Sequence, residues 1–304
     1  MRETLVYPMP PRGNTADMEH TVAPHLRSKS NSVAPGVNRY TGTAFEPAPD
    51  GWAARIGASL PTRRPLLDGS LAAFFGYIVM SCILLALGYL VMHVIVGGSI
   101  GAWDNGVERW LAARRTPTLN TVSSIGSGIG GTLGIVAVAL VATIGLGLAR
   151  WWRGVGFLVA GLVIEATAFL TSSILTNRPR PHVPHLDTLP PTGSFPSGHT
   201  AAAVVLYAGL AIFIMTLTKA TGPRIFAWLI AVLMPIFVGF SRMYRGMHHP
   251  TDVIGGFVLG IGALLFALLA VRIAGVSRSR SAGTSSGNQA AASDHAAPAV
   301  AVPR

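Results

Sequence analysis

Charged residues are scarce in this chain. Asp, Glu, Lys and Arg make up 12% of its 304 residues, against roughly a quarter in an ordinary soluble domain. A soluble nucleic-acid binder is therefore excluded despite the net charge of +11, because 23 Lys/Arg and 12 Asp/Glu are too few to cover a hydrated surface. Cysteine is nearly absent as well. Cys82 stands alone in an apolar run, which excludes a disulfide scaffold and a Cys-based zinc site. Residues 1–30 contain no apolar core of signal-peptide length, so the first apolar helix is expected to act as the targeting element. What is abundant is hydrophobicity, at half of all residues.

The gaps between charges locate the apolar mass. No Asp, Glu, Lys or Arg occurs in 69–103, 116–149, 188–218, 225–241 or 253–271, and only Glu165 interrupts 154–177. A membrane-spanning helix needs about 20 mostly apolar residues. These gaps predict an all-α, polytopic membrane protein with helices near 70–96, 127–149, 154–175, 199–218, 225–241 and 252–273. Buried helices of a soluble protein would show polar faces, and these segments have none. The Pro-, Gly- and Ser-rich ends predict disordered tails at 1–68 and 275–304, flanking one membrane domain at 69–274. Sixteen of the Lys/Arg fall in the tails and even-numbered connections, and seven in the odd-numbered ones. The expected topology therefore has both termini in the cytoplasm. Between the first two helices, 104–120 holds a short amphipathic stretch with Trp110 and Leu111, suited to the outer interface. The glycines of 126–134 are read as close-packing residues.

The outward connections carry the chemistry. Five of nine histidines (His182, His185, His199, His248 and His249) lie there, with Arg178, Arg180, Arg242 and Arg245. Forked guanidinium donors match phosphate oxygens, and imidazole can act as a nucleophile or proton donor. In Pro196-Ser197-Gly198-His199 a polar loop meets an apolar helix. Ser197 suits an N-cap, and Gly198 allows a ligand near free backbone N–H groups. In His248-His249-Pro250-Thr251-Asp252 the pattern recurs, and the spacing lets Asp252 hydrogen-bond a ring nitrogen of His248. The His182/His185/Asp187 set lies among prolines and is read as a loop rim, not a metal site. His249 is read as a helix-start residue. Glu165 is read as a buried acid with a hydrogen-bond partner.

These residues resemble the type 2 phosphatidic acid phosphatase (PAP2) superfamily, which also includes glucose-6-phosphatase and vanadium haloperoxidases. Its signature is Lys-x6-Arg-Pro, then Pro-Ser-Gly-His, then Ser-Arg-x5-His-x3-Asp. Pro196 to His199 supplies the second element complete, and Ser241-Arg242 with His248 and Asp252 supplies the third. The first ends in Arg180-Pro181, but Ser173 stands where the family has Lys. The resemblance implies a PAP2-like helical bundle in which His248 attacks phosphorus, Asp252 orients it and His199 protonates the leaving oxygen. Arg180, Arg242, Ser197 and the Gly198 N–H would hold the phosphoryl group. Arg178, Arg245 and Ser173 are auxiliary candidates for the missing Lys. No cofactor or metal is implied. The expected partner is a membrane lipid bearing a phosphate or diphosphate, in the multi-pass setting of a bacterial plasma membrane, with oligomeric state undefined. A lipid phosphotransferase of the same superfamily, or a catalytically silent lipid-binding or transport protein, are the alternatives.

Overall fold

The computed structural model describes residues 43–62 and 64–295, with side chains through 282. The expected N-terminal tail as far as residue 42 and the last nine residues lie outside these. No strand occurs among the described residues. Helices α1 (Trp52–Ser59), α2 (Pro65–Leu90), α3 (Ser99–Ala113), α4 (Pro117–Ile129), α5 (Thr132–Leu148), α6 (Trp152–Thr176), α7 (Gly198–Leu217), α8 (Thr221–Tyr244) and α9 (Pro250–His295) follow in order. A π-helical turn, Val91–Ile95, prolongs α2.

Among the described residues, five helices are long and apolar enough to cross a membrane: α2 with its π turn, α6, α7, α8 and the α9 stretch Pro250–Ala282. Helices α4 and α5 pass the same test only as a pair, bent by 48°, which makes a sixth span if the two are counted as one. The expected single helix over 127–149 is thus broken. Gly130 and Gly131 form the break, and Thr116 caps α4 by accepting the Leu119 N–H at 3.2 Å. Outward-facing Leu133, Val141, Leu175, Leu233 and Leu265 are exposed, an apolar surface suited to lipid. Inside, Phe157, Leu158, Val205, Leu206, Leu259 and Ala267 are buried where α6, α7 and α9 meet. Close approach of α4 to α8 needs its small residues, since a Cβ at Gly126 would lie 2.2 Å from Ser241 Oγ.

The boundaries drawn from composition differ from the structure at both ends. Residues 43–59 include a 3-10 turn and α1, and Phe45 packs against Trp151, Phe157 and Phe213. Helix α9 passes residue 274 and runs to His295. Contacts that a Ser/Gly/Ala composition does not reveal hold its extension: Ser277 Oγ donates to Asp68 at 2.5 Å, and Arg280 donates to the Gly57 carbonyl at 2.7 Å.

Candidate active site

One end of the bundle gathers the C-terminus of α6, the N-terminus of α7, the turn from α8 to α9, and α3. Asn177, in the left-handed region at φ 44°, ends α6. The connection that follows folds back on itself. The Ser194 N–H donates to the Arg178 carbonyl at 2.9 Å, and the Gly193 N–H donates to the Ser173 carbonyl at 3.3 Å. Gly246, at φ +76°, makes the turn between α8 and α9. The two motif segments then join directly, because the Ser197 N–H donates to the Asp252 carbonyl at 2.9 Å.

His248 is buried, and its Nδ1 lies 2.7 Å from the Ser194 carbonyl. A carbonyl only accepts, so Nδ1 carries the proton and Nε2 presents a bare lone pair. Burial pushes the imidazole down to about 4, opposed by the nearby Asp252 and assisted by the charge of Arg242. The neutral, nucleophilic form is therefore the resting one. Asp252 is placed differently from the expectation. Its Oδ2 is 3.7 Å from His248 Nδ1, beyond hydrogen-bonding distance. That oxygen instead accepts the His249 N–H at 2.8 Å, a reach-back cap on α9, while Oδ1 takes Arg178 Nη1 at 2.5 Å. Spacing by four aligns side chains within a helix, but His248 precedes Pro250, where the helix starts.

His199 is half-buried at the start of α7, within the fields of Arg242, His248, Asp187 and Arg180. Ser197 occupies the N-cap position, yet its hydroxyl meets Thr200 Oγ1 at 3.0 Å instead of a backbone N–H. Gly198 lies against Phe169, whose ring would be 2.9 Å from a Cβ there. Arg180 donates through Nη1 to the Met247 carbonyl at 2.7 Å and through Nη2 to the Thr192 and Gly193 carbonyls at 3.2 Å. Arg242 Nη1 donates to Ser127 and Asp187, each at 2.7 Å. Both guanidinium groups keep a buried Nε–H with no acceptor. Buried donors of this kind are costly to leave empty, and a phosphoryl oxygen would satisfy them.

The three auxiliary candidates are engaged elsewhere. Arg178 bridges Asp252 and Asp104, the latter at 2.9 Å. Arg245 holds Asp187 through Nε at 2.8 Å and Nη2 at 2.6 Å. Ser173 is buried, with its hydroxyl on the Leu170 carbonyl of its own helix. Neither arginine therefore has its charge free to replace the family Lys. Asp187 was grouped with His182 and His185, but it serves as an anchor for Arg242 and Arg245, and no three metal-ligating side chains converge among the described residues. Glu165 is buried in α6 but makes no hydrogen bond or ion pair among the described residues, so the expected partner is missing.

Sequence reasoning missed Asp104 and Glu108 on α3, both buried beside the motif residues. Arg115 was missed too. It donates to the Tyr244 carbonyl at 3.1 and 3.0 Å and to the Pro184 carbonyl at 2.7 Å, tying the foot of α4 to the turn. The acids did leave a trace. They stand four apart, in register with Gly101 and Leu111 and away from Trp103 and Trp110.

Known proteins share parts of this sequence and fold. The PAP2 superfamily model matches residues 151–275, the segment carrying all three motif positions. Phosphatidylglycerophosphatase B of Bacillus subtilis is 29% identical over 193 residues, 61% of this chain and 91% of that protein. An undecaprenyl-diphosphatase of the same organism is 38% identical over 114 residues, 36% of this chain and 52% of its own. The crystal structure of a transmembrane PAP2-type phosphatidylglycerolphosphate phosphatase from Bacillus subtilis superposes with a TM-score of 0.54 at 25% identity, covering 64% of this chain and 94% of that one. With two motifs complete, the helices around them matched by the family model, and the fold shared, residues 151–275 are similar to the PAP2 superfamily, within a multi-pass membrane protein that has the fold of PAP2-type membrane phosphatases.

Proposed function

We propose that the protein hydrolyses a phosphate or diphosphate ester of a membrane lipid through a phosphohistidine at His248. The observation that carries this is the buried imidazole of His248, fixed by the Ser194 carbonyl with Nε2 free, beside two buried guanidinium N–H groups that lack acceptors. His248 Nε2 attacks phosphorus, and the bond from phosphorus to the lipid oxygen breaks. His199 gives that oxygen its proton. Water, losing a proton to His199, then attacks phosphorus and releases His248 with inorganic phosphate. The Nε–H groups of Arg180 and Arg242 meet the charge that develops on the phosphoryl oxygens.

The site sits where α6, α7, α8 and α9 end or begin, at the edge of the apolar spans. A substrate can therefore keep its tail in the bilayer while its phosphate reaches the motifs. Phosphatidylglycerophosphate and polyprenyl diphosphate both have that form, and relatives are named for such substrates. The Lys/Arg surplus on the other face supports a site on the extracytoplasmic side of a bacterial plasma membrane, with both termini cytoplasmic.

Detergent-purified protein should release phosphate from a panel of lipid phosphates and diphosphates in EDTA. His248→Ala should abolish release, and a rapid acid-free quench should trap phosphate on His248 of the unmodified protein. No release from any lipid would favour a silent lipid-binding protein. Release undiminished in His248→Ala would refute the assigned nucleophile.

A further inference from the structure

We infer that α3 is a working part of the site, and that Asp104 and Glu108 are positioning residues which hold the nucleophile segment His248–Asp252 in register. The inference rests on the phosphatase reading above. Helix α3 is amphipathic in an unusual sense. Its outer side leaves Ile100, Trp103 and Trp110 about half exposed, while its inner side buries two carboxylates, Asp104 at 1% and Glu108 at 2% exposure. Carboxylates so buried require cations and donors, and every one they find belongs to the site.

Asp104 Oδ2 accepts Arg178 Nη2 at 2.9 Å and the Thr251 hydroxyl at 2.5 Å, and Oδ1 accepts the Thr251 N–H at 3.1 Å. Glu108 pairs with His249 Nδ1, while His249 Nε2 lies 3.1 Å from the Pro179 carbonyl. Both ring nitrogens thus face acceptors, an arrangement that favours the imidazolium form of His249. In agreement, the Glu108 and Asp252 carboxylates outweigh burial and raise its pKa.

These contacts end on the nucleophile's own supports. Arg178 passes from Asp104 to Asp252, and its carbonyl holds the Ser194 N–H at 2.9 Å. Pro179 accepts both from His249 and from the Ser194 hydroxyl. Ser194 in turn supplies the carbonyl that fixes the tautomer of His248. A shift of α3 therefore moves the group that aims Nε2 at phosphorus. Misplacing a reacting atom by about 1 Å costs on the order of 10²-fold in rate.

The test uses full-length protein in detergent with phosphatidate as the probe, reading kcat, KM, melting temperature and the rate of phosphohistidine formation. Asp104→Asn keeps the shape and removes the charge. Thr251→Val removes the hydroxyl that donates to Asp104 and accepts from Arg178, and leaves no extra buried charge, so it keeps the test readable if Asp104→Asn does not fold. Expected are a kcat lower by about 10²-fold in Asp104→Asn and by about tenfold in Thr251→Val. KM should stay within about threefold and phosphohistidine formation should slow in proportion. The double variant should be no slower than Asp104→Asn, because both changes cut the same link. A folded Asp104→Asn, or failing that a folded Thr251→Val, with kcat within about twofold of the unmodified protein overturns the inference alone. An unmodified protein that releases no phosphate from phosphatidate or any other lipid of the panel overturns the phosphatase reading and this inference with it.

Discussion

Two adjacent side chains should titrate in opposite directions, and acid is the perturbation that shows it. An ordinary imidazole, with a pKa near 6.5, is about three-quarters protonated at pH 6. His248, pushed down to about 4 by burial, would be protonated in roughly one molecule in a hundred at that pH and one in a thousand at pH 7. His249 has Glu108 on one ring nitrogen and the Pro179 carbonyl on the other, and its pKa is raised, so it keeps its proton to a higher pH than an ordinary imidazole. The gap at His248 corresponds to about 3 kcal/mol. Its sign is that of a depressed cationic group. The unfolded chain takes up the proton first, so stability falls as pH drops from about 6.5 towards 4, with no further loss below that. His249 works the other way, because its contribution is complete below 6.5 and is lost as pH rises through its raised value. Nitrogen-15 spectra of histidine-labelled protein in nanodiscs, assigned with His248→Gln and His249→Gln, would read both rings without substrate. A His248 signal half-titrated near 6.5 would mean a solvated ring and refute the account of the nucleophile. A neutral His249 at pH 6.5 would refute its pairing with Glu108.

Three further outcomes follow from neighbouring contacts. Asp187→Asn removes the charge shared by Arg242 and Arg245 while leaving both arginines in place; with the Asp187 side chain 25% exposed, the loss should be about 2–3 kcal/mol. Without that carboxylate Arg242 gains unscreened charge but loses the contact that fixes its guanidinium, and the loss of position should dominate and raise KM by about tenfold; unchanged melting and KM would show that Ser127 holds Arg242, and the Leu186 carbonyl holds Arg245, without Asp187. Gly256→Ala places a Cβ 2.5 Å from the Ser197 carbonyl, which must push Pro196–His199 off α9. Its kcat should fall by about tenfold or more, whereas Gly147→Ala, with open space around it, should lose no stability. Ser173→Lys, which restores the family residue, should cost about 1–3 kcal/mol by overfilling a buried position. It should not raise kcat/KM, and a tenfold gain on a lipid phosphate would show that the site lacks a charge.

The parts of this protein that could be read from sequence are those whose cause is local. A spanning helix announces itself by twenty or so residues without charge, so α2, α6, α7, α8 and the first half of α9 stood where the gaps were. Motif spacing likewise brought His199, His248, Arg180 and Arg242 to one end of the bundle. What failed were inferences that needed a partner from far along the chain. Ser277 prolongs α9 by reaching Asp68, and nothing in a Ser/Gly-rich stretch predicts that bond. Asp104 meets Thr251 across 147 positions, so the sequence shows α3 only as an amphipathic stretch suited to the outer interface.

The missing family Lys shows how local and distant causes combine. By sequence, Arg178 and Arg245 stood near enough to replace it. In the folded protein each is neutralised by carboxylates, the buried Asp104 and Asp252 for one and the partly exposed Asp187 for the other. A cation so paired contributes rigidity and little net field. The charge left for a phosphoryl group is therefore that of Arg180 and Arg242, and only Arg242 shares its guanidinium with a carboxylate. Arg180 is held by carbonyls alone, which orient it without cancelling its charge. Arg180→Gln should consequently cost more in kcat/KM than Arg242→Gln, by about tenfold. Equal losses would mean that Asp187 does not screen Arg242, and that the anion is shared evenly between the two arginines.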